Sequence, residues 1–435
     1  MLFILIAKAD LFKLFSCYNL KMEENLSWKI VYFATIFSLL ILGFAYYLIS
    51  PRDPSELVAQ KGDKLAELKD TRIEGRKEGK RVWEFFAGEG WTTKDRRITY
   101  LLKVRKGKIY NDDQLTVTDL SAPQVKVTGQ SEIIEAFGQR DGQSGPSLLS
   151  AYLDLGKFTT VKKDKRQWTR LSANYIKYIP QQKKSEISGN VILYKRNMTV
   201  RADVITIDHN SKKADLSGRI RIKREDGIIT TDRAEYLGEP EQFNAFGNVI
   251  MNILSRSIRT FIKCNQSTLF SDTEKDIALA GSLEVIQGKK VAVGSEGTYS
   301  NKQGGLLIKG GTKTIIEKAR ALLKPETATK LNNPDMRSIL KEKTIITSND
   351  IFFSTRTGDA RATGKVEVTQ KGREARSDLA IYDDKTEILT LSGNVFMKRK
   401  ELSGKEDWVK CRQVLISIPK ETFEAVGAVE AEFKL

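Results

Sequence analysis

Residues able to do acid–base, nucleophilic or metal chemistry are scarce. The chain of 435 residues has one histidine, His209, so a Ser-His-Asp triad, an HExxH helix or a multi-histidine metal site lacks its parts. Three cysteines, Cys17, Cys264 and Cys411, are too few for a four-cysteine zinc site or a dense disulfide framework. The 55 Asp and Glu are spread evenly, and no two stand out as the convergent acids that glycan cleavage needs. Lys and Arg number 72, giving a net charge of +17, but the charge is dispersed and no nucleic-acid motif accompanies it. No catalytic residue, metal or cofactor is expected.

The acids have a positional role instead. A short element recurs: glycine, then alternating apolar residues, at Gly189, Gly218, Gly247, Gly281, Gly364, Gly393 and Gly427, with a poorer copy at Gly311. Fifteen residues before these glycines stand Asn174, Asp203, Asp232, Gln266, Glu296, Asn349, Asp378 and Arg412. Most of them begin a second alternating run, and polar turns such as Asp208-His209-Asn210-Ser211 separate the runs. The glycines are read as bends where a strand turns from one sheet to another, and the Asp/Asn as turn or strand-start residues.

Each unit is therefore strand, polar turn, strand, glycine, strand. Alternation at period 2 puts Val, Ile, Leu, Met, Phe and Tyr on one face and Lys, Arg, Glu, Asn and Thr on the other. No unit buries its apolar face alone, so copies must stack into an elongated all-β array. Nine units, counting a degenerate first one, extend roughly 45 Å, or about twice that if both strands of a unit enter one sheet, at about 4.8 Å per strand. Cys264 and Cys411, four units apart, are expected to be separate thiols.

The chain divides accordingly. Residues 30–49 are twenty without a charge, enough to cross a bilayer core of about 30 Å. Bulky residues follow where a signal peptidase needs small ones, so an uncleaved transmembrane helix is expected. The basic residues flanking this span are near a tie, and residues 1–29 are expected to be a cytoplasmic tail from the architecture that follows, with 1–21 read as a gene-start artefact ahead of Met22. Residues 50–75 read as a membrane-proximal linker, 76–138 as a first β section, 139–170 as a joint and 171–435 as the repeats. A helical excursion is expected at 316–342.

These repeats resemble the OstA-like repeats of the periplasmic lipopolysaccharide-transport bridge proteins: compare Ala202-Asp203…Gly218 with Ser377-Asp378…Gly393-Asn394-Val395. The section after the span resembles the membrane-anchored, LptC-like component of that system, through Gly79, Trp83 and Ala87, then Gly107-Lys108-Ile109-Tyr110 and Ala122-Pro123. This chain is much longer than that component. The resemblance implies an open β-jellyroll, two facing sheets that form a trough for lipid A acyl chains. It further implies anchorage in the inner membrane with the large C-terminal part in the periplasm. The implied partners are lipopolysaccharide, an inner-membrane ABC transporter complex and a further periplasmic β-jellyroll protein joined by edge strands.

On the alternation, Ile176, Tyr178, Ile205, Ile207, Tyr236, Phe270, Ile351, Phe353, Tyr382, Val414 and Ile416 face inward, as acyl-chain contacts or as packed core. Lys195, Arg196, Arg219, Arg221, Lys223, Lys398, Arg399 and Lys400 are the rim candidates for phosphates and sugars, or a solvated strand face. A non-enzymatic envelope scaffold and a membrane-anchored β-solenoid polysaccharide-degrading enzyme are the rival readings.

Overall fold

Alternating Val, Ile and Leu with punctuating glycine produce strands that are bent in the middle. In a computed structural model, residues 34–35, 37–39, 41, 64–129, 132–138, 149–155, 168–255, 258–400 and 406–433 are described. Two compact units divide the chain, Met1–Asp63 and Lys64–Leu435. The described residues of the first unit are helical; the tail and most of the 30–49 span lie outside the described residues. Among the described residues no helix is long and apolar enough to cross a membrane.

The second unit is all-β. Its opening strands are β1 (Lys64–Lys77), β2 (Lys80–Thr93), β3 (Ile98–Asn111) and β4 (Gln114–Thr128). Short strands follow: β5 (Ile133–Phe137), β6 (Leu149–Leu153), β7 (Thr169–Ala173) and β8 (Tyr175–Ile179). The centre begins with β9 (Lys184–Lys195), β10 (Met198–Asp208), β11 (Lys213–Arg224) and β12 (Gly227–Leu237). It ends with β13 (Gln242–Ser255), β14 (Ile258–Phe270), β15 (Ile277–Gln287) and β16 (Lys290–Ser300). Then come β17 (Gly305–Lys309), β18 (Thr312–Ile316), β19 (Thr344–Ser348) and β20 (Asp350–Ser354). The last are β21 (Ala360–Gln370), β22 (Arg373–Asp383), β23 (Ile388–Lys400), β24 (Glu406–Ser417), β25 (Thr422–Val426) and β26 (Glu430–Glu432).

All pairings are antiparallel, and the long strands follow one another as a meander. The short strands share rungs: β7 and β8 both pair with β9, β17 and β18 with β16, and β25 and β26 with β24. A crease runs through every rung and divides it into two leaves. Leaf I holds halves such as 204–208 and 213–217; leaf II holds 198–202 and 220–224. Each repeat unit thus supplies two rungs, and the array runs on the order of 100 Å at about 4.8 Å per rung, the longer of the two expectations.

The crease explains the recurring glycine and acid. Between the long strands from β9 on the register slips at the crease, as between Arg201 and Val204 of β10 opposite Ser217 and Ile220 of β11. The glycine there takes positive φ, +90° at Gly218 and +76° at Gly393. Asp203 lies against Gly218 on the neighbouring strand, and its Oδ2 accepts the Arg219 amide at 3.1 Å. The Asn394 side-chain amide likewise donates to Asp378 Oδ2 at 2.9 Å. Short Asx side chains suit this corner because they reach backbone and neighbour across a bulge. Gly393→Ala is expected to cost about 1–3 kcal/mol, because φ is wrong for an L-residue and its Cβ would stand 2.5 Å from Asp378 Oδ2. A lower urea midpoint at unchanged slope checks it.

Two corners differ from the sequence reading. In β14 the corner residue is Asn265, which lies against Gly281, not Gln266. In β16 it is Ser295 against Gly310, not Glu296 against Gly311. The residue before the corner points inward and is small: Ala202, Thr231, Cys264, Ser377 and Cys411. Both cysteines therefore hold corner positions; they are buried and free, with Sγ donating to Gln266 O and Gln413 O.

The boundaries also move. Lys64–Lys77 is strand β1, paired along its length with β2, so the β section begins inside the expected linker. Its Lys- and Glu-rich composition reads poorly as strand but suits a solvent-facing edge. The expected joint contains β6 and the start of β7. The excursion is a strap: a 3-10 turn (Ala319–Leu322), α1 (Pro325–Lys330) and α2 (Pro334–Lys341).

Candidate functional site

The inward residues of neighbouring strands stand in register and form two ladders, one per leaf. In leaf II, Leu193, Val200, Ile222, Ile229, Met251, Ile262 and Val285 are successive partners. The same row continues through Ala292 and Thr314 to Ile346, Val368, Ala375, Met397 and Val409. In leaf I the row includes Ile207, Ala214, Tyr236, Phe243 and Leu269, and later Phe353, Ala360, Tyr382, Leu389, Ile416 and Phe423.

Of the expected inward residues, Ile176, Tyr178, Ile205, Ile207, Tyr236, Ile351, Phe353 and Val414 are buried in one continuous core, while Tyr382 and Ile416 are half-buried. Phe270 is a correction. Because the β14 corner sits at Asn265, Ser267 and Leu269 take the inward positions. Phe270 faces outward, with Lys275 Nζ 4.7 Å from its ring centre.

The free margins of the leaves, opposite the crease, are laced by buried polar groups. Lys195 Nζ at the end of β9 reaches Glu241 at 3.5 Å. Lys212 reaches Asp154 at 3.2 Å. Arg224 holds Asp226 through two 2.9 Å hydrogen bonds and donates to Phe270 O across the margin at 2.8 Å. Gln287 donates to Ser354 O at 3.0 Å, and Lys290 donates to Gly358 O at 2.7 Å. Burial pushes the Lys195 and Lys290 ammonium groups below the usual lysine range, against the pull of Glu241 and Asp384. Farther along, the strap crosses the same mouth: the Lys324 amide and the Thr327 hydroxyl donate to Glu387, and the Asn333 amide donates to Glu421 at 2.9 Å.

Sequence reasoning missed this seam, although its signal is present. Lys195, Arg224 and Gln287 each occupy the inward parity of their strands, after Val191-Leu193, Ile220-Ile222 and Leu283-Val285. A charged or amide residue ending an apolar row in this way needs a buried partner. Lys195, expected on the rim, is accordingly a buried seam residue. The other rim candidates do not converge. Arg196 is exposed beside Glu241; Arg219, Arg221 and Lys223 line the outer face of β11; and Lys398, Arg399 and Lys400 end β23.

No protein-family profile matches the chain, and no curated protein matches it. Among solved structures it is similar to LptH, the LptA homologous periplasmic component of the conserved lipopolysaccharide transport device from Pseudomonas aeruginosa. That likeness has 15% identity and a TM-score of 0.24, and it covers 31% of this chain and 82% of LptH.

Proposed function

We propose that the protein serves lipopolysaccharide export. In this reading residues 30–49 anchor it in the inner membrane and the β array stands in the periplasm. The array accepts lipopolysaccharide from an ABC transporter complex and passes it to a further β-jellyroll protein. The observation that carries the reading is the pair of inward ladders, a largely apolar interior between the two leaves from β9 to β24. Burial between the leaves is worth about 0.8 kcal/mol per CH2 of an acyl chain. Among the described residues no strand pairs with the outer side of β25, where Phe423 and Val426 are exposed, the kind of edge that accepts another strand.

The test is a photo-crosslinker scan of the full chain with purified lipopolysaccharide. Inward positions should capture it and outward neighbours such as Thr206 should not. Silence at every inward position of a folded protein overturns the reading. A second reading, an envelope scaffold, has the laced margins in its favour, since they hold the central leaves shut; it predicts that silence together with capture of partner proteins.

A further inference from the structure

We propose that the acyl-binding site is confined to a slot between the leaves in the C-terminal third, beneath the strap, and that the centre from β9 to β16 is a sealed spacer. This rests on the carriage reading above and narrows where it operates.

The leaf II ladder changes character along its length. Ile222 and Ile262 are 0% exposed, and Leu193 and Met251 no more than 2%. Beyond β18 the same row opens: Ile346, Val368, Met397 and Val409 are all half-buried. The leaf I ladder opens likewise, from Ile207 at 0% to half-buried Leu389 and Ile416 and to Phe423 at 49%. Within these five rungs Phe353 and Ala375 stay buried, while the other members of both rows are half-buried, so a strip of apolar side chains about 20 Å long, at about 4.8 Å per rung, is reachable from the margin.

The closure changes at the same place. The central margins are tied by buried charges, each of which must be desolvated or re-paired before anything passes. Over the slot the tie is the strap. It leaves leaf II at β18, returns at β19 and reaches leaf I at Glu387 and Glu421. The strap's buried Leu323, Leu331 and Leu340 form a cluster of their own, separate from the main core.

The occupant is an acyl chain with an anionic head. The slot takes the chain, while the strap over it, residues 317–343, carries seven basic side chains against four acidic.

The experiment places p-benzoylphenylalanine in turn at Met397, Leu389, Ile207 and Ile222 of the full chain in nanodiscs, with purified lipopolysaccharide as probe. Capture from Met397 and Leu389 is expected at least tenfold above the two central positions. Val409→Trp, which fills the slot, should lower capture from Met397 at least fivefold while leaving the thermal midpoint in place. Equal capture from Ile207 overturns the slot and leaves lipopolysaccharide carriage standing. Capture of a polypeptide from Met397 in place of lipid overturns the acyl occupant. Silence at all four positions overturns the slot, and if every other inward position is silent too, the carriage reading fails with it.

Discussion

Asp226→Ala is expected to lower the stability of the β array by about 3–5 kcal/mol, the cost of stranding a buried charge. Arg224 and Asp226 have side chains only 1% and 4% exposed. The guanidinium Nε and Nη2 lie 2.9 Å from the two carboxylate oxygens, and Nη1 is spent on Phe270 O. Removing the acid leaves a buried guanidinium without its charge partner. The double variant Arg224→Met with Asp226→Leu removes both charges, so it should recover most of the loss and lie within about 1–2 kcal/mol of the parent. Urea unfolding of the three proteins decides the matter. If the double variant is as weak as the single one, the seam acts through its shape rather than its charge.

That seam marks the limit of what the sequence discloses. Alternation at period 2, glycine and Asx at fixed offsets, and the absence of chemical constellations lead to a stacked all-β array, because each signal is local to one strand and its turn. Parity failed where one residue was inserted: counting fifteen back from Gly281 lands on Gln266, whereas the corner is Asn265, and that slip turns Phe270 outward. A single-residue error flips every later side chain to the other face. The margins were illegible for a different reason. Lys195 with Glu241, and Lys290 with Gly358, join residues 46 and 68 positions apart through the closing of two leaves. A charge at the end of an apolar row signals that a partner must exist without saying which residue it is. Edge strand β1 escaped because its stability comes from pairing with β2, not from its own composition.

His209 gives this seam a dependence on pH. Burial pushes its imidazole down to about 4, while Asp208 pulls the other way and Lys212 adds to the lowering. The ring shares a 2.7 Å hydrogen bond with Ser185 Oγ and meets the Tyr178 ring edge-on at 5.5 Å. The groups facing it are Asp208 and Lys212 on its own turn and Asp154 from the other leaf. The unfolded chain protonates His209 near its ordinary value of about 6.5, and the folded chain resists protonation until about 4. The folded state therefore has the full benefit of a neutral His209 above pH 6.5 and loses it as pH falls from there toward 4. The limit is about 3 kcal/mol, from about 1.4 kcal/mol per unit of pKa difference. Urea unfolding at pH 7.5 and pH 4.5 should show the parent losing about 2–3 kcal/mol more than His209→Asn, which carries no titrating ring. Equal losses in the two proteins would mean that the pH dependence of the array lies elsewhere, in its carboxylates. The expected difference has a location as well as a size. His209 stands next to the Lys212–Asp154 tie, so acid weakens the margin where the sealed centre begins.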